Sequence, residues 1–376
     1  MQSTLMLVGM GDLGGILLEY LVTNPKLRFV TADINEERAL ARINLARLGA
    51  VARGLDPQIE FVQLDLNNID NTAQTIVGTK PDIILTTATL QTWWLPDRLP
   101  DAESAKIKSA GFGVWFPVHF ALTMKLMRAA QRANFGGFIV TAPYPDVANA
   151  VLGKLGIPPS CGIGNVEEIV PKIRWLAARQ LSIPIDAIHV TLVAHHALQR
   201  FTLNRTAVEN ASAAPFFLKI EADGRDVTEE INAAELLLSA FPITSGPASH
   251  VLTAATTYRL VNALVTENEQ YIHVPGPNGL PGGYPVYASS DGIRLADIPE
   301  LSFEDAIRIN EDSHRFDGIE KVEEDGSVHF TQQAAETMRE ALGYDCPILR
   351  PNDVDDRARE LVRRFGECAD RLGVRL

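Results

Sequence analysis

Cysteine is scarce in this 376-residue chain: Cys161, Cys346 and Cys368 lie far apart and show no metal-ligand spacing. That pattern rules out a disulfide framework or a cysteine-held metal and reads as free thiols in a reducing compartment. No apolar stretch reaches the roughly eighteen residues that cross a bilayer, and no basic segment leads into an apolar one near residue 1, so a cytoplasmic location without a membrane partner is expected. Positive charge is also short. Lys and Arg number 34 against 47 Asp and Glu, a net charge of -13, and no long basic run forms the groove a nucleic acid needs. Internal repeats and low-complexity segments are absent. What is present is a 46% hydrophobic sequence, enough for a large core spread over two or three domains. A small-molecule ligand is therefore the expected partner.

The stretch that organises the chain runs from Ser3 to Asp33. The apolar run Thr4-Leu5-Met6-Leu7-Val8 reads as a strand, Gly9-Met10-Gly11-Asp12-Leu13-Gly14 as a turn, and Ile16 to Val22 as an amphipathic helix. Phe29-Val30-Thr31-Ala32 is a second strand ending on Asp33. In such a unit the first glycine permits the turn, the second admits a pyrophosphate to the backbone, and the third lets helix and strand pack closely. The free N–H groups of the helix face the phosphates. Asp33 sits roughly twenty residues on, where a carboxylate accepts hydrogen bonds from an adenosine ribose and repels a 2′-phosphate. Gly9, Gly11, Asp12, Leu13, Gly14 and Asp33 are accordingly assigned to a dinucleotide, and NAD is favoured over NADP.

Strands and helices keep alternating beyond this unit. Glu36 to Ala52 reads as a helix, Ile59 to Leu64 as a strand, Asn71 to Val77 as a short helix, and Ile83 to Ala88 as a strand buried on both faces. Together they predict an α/β fold with a doubly wound parallel sheet. Ligands bind beyond the carboxyl ends of such strands, which places Thr87 and Ala88 at the cofactor edge, and Thr141 likewise at the end of strand 137–141. The loop 89–105 carries Trp93, Trp94, Arg98 and two prolines; it reads as a lid or substrate wall, or as an aromatic plug. Asp146 reads as the cap of a helix over 147–155. A further helix opens at Ile163-Gly164-Asn165-Val166-Glu167-Glu168 and carries Lys172. The strand 188–193 runs into Ala194-His195-His196-Ala197, and a histidine at a strand end near a ligand edge suits acid or base chemistry because its pKa lies near neutrality. From Asp317 onward one short hairpin and two helices are expected.

This order of features resembles the lactate and malate dehydrogenase superfamily, which also contains the family 4 glycosidases. The resemblance rests on the glycine turn, on Thr87-Ala88 followed by a loop ending in Arg98-Leu99, on Gly164-Asn165-Val166-Glu167, on Ala194-His195-His196-Ala197, and on Gly246 through Glu304. It implies an N-terminal Rossmann domain over 1–150, an α+β substrate domain over 151–316, and a mostly helical extension over 317–376 that lies outside the likeness. It further implies that His196 is the catalytic histidine, that Glu167 or Glu168 orients it, that Arg98 polarises the substrate oxygen, and that Lys172 grips a carboxylate. Trp93, Trp94, Asn165 and His195 join the substrate site, and no metal site is expected. Homodimers or homotetramers form in the family through helices such as 36–52 and 163–181.

Several positions depart from the family pattern. Ala142 stands where an asparagine is usual, Lys172 replaces a bidentate arginine, and Leu198 replaces an aspartate. With Trp93 near the substrate-selecting position, the expected reaction is NAD-dependent oxidation of a bulky or apolar 2-hydroxy acid rather than lactate or malate. Two other readings stay open: a hydrolase like the family 4 glycosidases, and an NAD-binding protein without turnover.

Overall fold

In a computed structural model, residues 2–203, 208–209 and 213–376 are described. The first sheet is built from β1 (Ser3–Val8), β2 (Leu27–Asp33), β3 (Ile59–Gln63), β4 (Ile83–Thr86), β5 (Phe138–Thr141) and β6 (Cys161–Gly162). All six run parallel in the order β3-β2-β1-β4-β5-β6, a doubly wound arrangement. Period-two alternation decides the packing: Leu5 and Leu7 enter the core on one face, while Met6 and Val8 enter the core on the other. The connecting helices are α1 (Asp12–Leu21), α2 (Glu36–Val51), α3 (Ile69–Thr79), α4 (Asp101–Lys108), α5 (Phe116–Arg132) and α6 (Pro145–Lys154).

The second half begins with α7 (Val166–Leu181), β7 (Ile188–Ala194) and the single turn α8 (Gln199–Thr202). It continues with β8 (Phe216–Ala222), β9 (Arg225–Asp226), α9 (Ala233–Leu238), α10 (His250–Leu264), β10 (Gln270–Pro275), β11 (Gly283–Ser289), β12 (Gly292–Leu295) and α11 (Phe303–Ser313). Its strands form an antiparallel sheet in the order β10-β11-β7-β8-β9, with β12 on β11. β11 pairs with β7 at Gly283 opposite Ala194. That pairing puts the end of β7 beside α6 and α7. α1 packs against α10, which brings the glycine turn and the second half together.

The last segment differs from the expected hairpin and two helices. Three short strands, β13 (Ile319–Val322), β14 (Val328–Phe330) and β15 (Ile348–Leu349), make an antiparallel sheet, joined by α12 (Gln332–Leu342) and closed by α13 (Val354–Arg371). A two-residue strand such as β15 leaves too little periodicity to be read from sequence. Nor is this segment an appendage: Leu361 and Phe365 of α13 are fully buried in the core that holds Phe116 and Phe120 of α5, and Phe365 meets Trp115 edge to face at 5.4 Å. Among the described residues no helix is long and apolar enough to cross a membrane.

Candidate active site

A cleft of about 960 Å³ lies between the carboxyl ends of the first sheet and the second half of the chain. Asp33 and Arg38 border one end and His196 the other, with Gly9, Gly11, Thr87 and Ala88 along the wall between them. Gly9 has φ +96°, and a Cβ there would stand 2.8 Å from the Ala88 amide nitrogen. A Cβ on Gly14 would fall 1.9 Å from the Gly9 carbonyl oxygen, so α1 can approach β1 only with glycine at that position. Around Gly11 the space is open: nothing lies within 4 Å of where a Cβ would stand, which leaves the N-terminus of α1 free to receive an anion. Gly14 supports this geometry from beneath without lining the cleft.

Asp33 is buried, and its carboxylate accepts from the backbone N–H of Met10 (2.6 Å) and of Asn35 (2.8 Å). Arg38 also reaches it, at 3.1 Å. These donors fix the acid at the end of β2, on the wall of the cleft. Asp12 and Leu13 line the same wall. Thr141 does not: its hydroxyl is buried and donates to Asn149 Oδ1 at 2.7 Å, so it braces α6 rather than a cofactor.

At the far end, the turn that follows β7 gives His195 and His196 different surroundings. His196 lines the cleft with a fifth of its side chain exposed. His195 is fully buried, 5.0 Å from the His314 ring, and burial holds it well below its ordinary pKa; it is a neutral interior group and not a substrate contact. The His196 ring contacts Asp317, whose Oδ2 lies 2.8 Å from Nδ1. Asp317 also accepts from the Tyr144 hydroxyl at 2.9 Å. Burial lowers the proton affinity of His196, but the carboxylates of Asp317, Asp146 and Glu168 outweigh it, and the net shift is upward. Asp317, against the cost of its burial, is held down to about 2 by His196, His195 and Tyr144. The two shifts agree: imidazolium and carboxylate stabilise each other.

The neighbouring network fixes the ring from behind. Asp146 does not cap its helix; it sits inside the first turn of α6, where its carboxylate accepts from the His196 backbone N–H at 2.7 Å and from Asn165 Nδ2. Burial raises Asp146 to about 6. Tyr144 and Asn165 both hold positive φ, +48° and +53°, and such strained non-glycine residues cluster at functional sites. Phe112 lies 4.8 Å from the His196 ring and 5.3 Å from the ring of His119, which burial lowers to about 3. The turn carrying Phe112 reaches Asp317 because Gly111 lacks a side chain; a Cβ there would sit 2.3 Å from the Asp317 carbonyl carbon.

The acids expected to orient His196 are placed elsewhere. Glu167 is paired with Arg259 and accepts from the His273 backbone N–H at 2.9 Å, away from the cleft. Glu168 does line the cleft, held by the Thr253 hydroxyl and the Gln199 amide, while Asp317 takes the place beside Nδ1. Lys172 is buried and gives its three protons to the carbonyls of Thr202 (2.7 Å), Leu237 (2.7 Å) and Ser239 (2.8 Å), so none is free for a substrate carboxylate. Arg98 is exposed outside the cleft, 5.1 Å over the Trp94 ring, with Nη1 donating to the Arg375 carbonyl at 3.4 Å. The adjacent tryptophans divide: Trp93 lines the cleft and donates to His250 Nε2 at 2.9 Å, whereas Trp94 turns away beneath Arg98. Asn165 lines the cleft as expected.

Asp317 and Tyr144 were missed from sequence. Asp317 lies 121 residues from His196, and no local pattern marks it. Tyr144, between two prolines directly after β5, carried the weaker signal of its place at the sheet edge.

No protein-family model matches the sequence, and no curated protein matches it. Solved structures do match its fold. A malate dehydrogenase from Plasmodium falciparum aligns over 97% of this chain and 100% of its own, with TM-score 0.54 and 11% identity. A lactate dehydrogenase from Eimeria maxima, determined with NADH and oxamate, covers 84% of this chain and 92% of its own, with TM-score 0.54 and 14% identity. A Cryptosporidium parvum malate dehydrogenase covers 84% and 97%, with TM-score 0.52 and 14% identity. The chain has the fold of the lactate and malate dehydrogenases.

Proposed function

We propose that this protein is an NAD-dependent oxidoreductase that interconverts a carbinol and a carbonyl on a bulky, largely apolar substrate. The observation that carries the reading is the pairing of His196 with Asp317 on the wall of the same cleft that holds the Gly9 to Leu13 turn. The residues fit the cofactor: the N-terminus of α1 is open above Gly11, Gly14 permits the close turn, and Asp33 stands ready at the end of β2. NAD supplies a hydride acceptor when bound. With Nδ1 donating to Asp317, His196 keeps Nε2 free to take the proton of a substrate hydroxyl during oxidation and to return it during reduction. Asp317 stabilises the imidazolium so formed, and Tyr144 and the Asp146 contact to the backbone hold both groups in place. Trp93, Phe112, Leu203 and Ile243 give the cleft apolar walls. The apolar half of the expected substrate thus keeps its support, while Lys172, expected to grip a carboxylate, and Arg98, expected to polarise the substrate oxygen, lie outside the cleft.

The test is NADH formation across a panel of hydroxy compounds. His196→Ala is expected to lower kcat by about 10²- to 10⁴-fold with NAD affinity, read by calorimetry, retained; unchanged turnover would refute the assigned base. A homo-oligomer is proposed as well. Leu40, Leu45, Leu48 and Val51 of α2 are exposed in this chain, and an apolar row of that kind suits a subunit contact.

A further inference from the structure

A 2-hydroxy acid needs a cation near the imidazole, and the chain places an acid there instead. Glu168, in the first turn of α7, lines the cleft and is about nine-tenths buried. The Thr253 hydroxyl donates to one carboxylate oxygen and the Gln199 amide to the other. Both donors are neutral, and a carboxylate has about four lone-pair directions, so accepting capacity remains. Among the described residues no lysine or arginine forms an ion pair with Glu168. Lys172, one turn along the same helix, is consumed by three carbonyls, and Arg259 is paired with Glu167. Arg200 also lines the cleft, but on the exposed side, with its guanidinium 4.7 Å from the Phe201 ring.

Glu168 and His196 line the same cleft, and Gln199, which donates to Glu168, follows His196 by three residues, so the carboxylate and the imidazole are brought to one end of it. A substrate carboxylate there would meet a buried like charge, whereas an ammonium would meet a partner. Burial raises Glu168 above its ordinary value, as expected for an acid with no counter-charge among the described residues.

Building on the oxidoreductase reading above, we propose that the substrate is a 1,2-amino alcohol with an apolar substituent, its ammonium held by Glu168 while His196 takes the proton of the adjacent hydroxyl. The reaction balances as RCH(OH)CH₂NH₃⁺ plus NAD⁺ giving RC(O)CH₂NH₃⁺, NADH and a proton. The carbinol C–H bond breaks with both electrons going to the nicotinamide, and the O–H proton leaves through His196 Nε2.

Three probes of matched shape test this: 2-amino-1-phenylethanol, 1-phenylethane-1,2-diol and mandelate. The amino alcohol is expected to exceed the diol in kcat/KM by about tenfold or more, and mandelate to be poorest. Glu168→Gln is expected to raise KM for the amino alcohol about 10- to 100-fold and to affect the diol less. If the glutamine variant does not fold, the comparison of the three probes on the unaltered protein decides the proposal, since equal use of amine and diol there already overturns it. A preference for mandelate, or equal use of amine and diol, overturns the amino-alcohol proposal and leaves the oxidoreductase reading standing. Calorimetric binding of the amino alcohol to NAD-loaded protein, lost in Glu168→Gln but without NADH formation, supports the ammonium site and instead sinks the redox chemistry. Absence of both binding and turnover of the amino alcohol overturns the proposal.

Discussion

The two ends of the cleft are assembled in opposite ways. The nucleotide end comes mainly from one βαβ unit, β1 through Arg38, whose residues act on one another: Gly14 on Gly9, Asp33 on Met10 and Asn35, with Thr87 and Ala88 of the neighbouring strand end closing against Gly9. The reactive end draws Tyr144 and Asp146 from α6 and the turn before it, Asn165 and Glu168 from the start of α7, His196 from beyond β7, and Asp317 from the segment before β13. The first kind of site is written in backbone geometry. The second exists only once four distant segments have packed, and its charges are buried enough to need one another.

The sharpest way to break this comparison is at the nucleotide end. Gly14→Ala puts a methyl group 1.9 Å from the Gly9 carbonyl oxygen, and the turn must open to admit it. Loss of measurable NAD binding by calorimetry is expected, with secondary structure by circular dichroism retained. An alanine variant that binds NAD with unchanged affinity would show that this turn is not the one that holds the nucleotide.

At the reactive end the expected effects are smaller and depend on pH. His196 is raised above its ordinary value, so oxidation, which needs free imidazole, should rise with pH through a value above 6.5, the ordinary value. Reduction needs the imidazolium and should fall through the same value. Asp317→Asn removes the main counter-charge and leaves the burial that lowers the proton affinity, so both profiles should shift toward lower pH. The expected loss in kcat is about 10- to 1,000-fold. A profile that stays in place in the asparagine variant would exclude Asp317 as the group that orients and charges His196.

How far the sequence could be read follows from the same contrast. The parallel sheet was legible because buried strands are continuous apolar runs and their helices carry the other period. The glycine turn and Asp33 were legible because their roles are local. His196 stood out by its place at a strand end. The acid beside it did not: the sequence pointed to the glutamates of α7, and Asp317, 121 residues away, carries no local mark of its place beside the ring. Lys172 illustrates the converse failure. Spacing placed it on the correct helix, but spacing does not say which of its surroundings will use its charge.

Lys172 also gives the smallest and most discriminating test between the two ways of reading a charged residue. If it gripped substrate, Lys172→Met would raise KM and leave stability nearly unchanged. Its ammonium instead serves the carbonyls of Thr202, Leu237 and Ser239, which end α8 and α9 around it. Methionine keeps the apolar stem and removes the donors, so buried acceptors are left unpaired at about 1–3 kcal/mol each. A destabilisation of about 2–5 kcal/mol in urea unfolding is expected, with KM at low temperature changed less than about twofold. A large rise in KM at full stability would return Lys172 to the substrate site and with it the 2-hydroxy acid, since an ammonium spent on three backbone carbonyls has no donor left for a substrate.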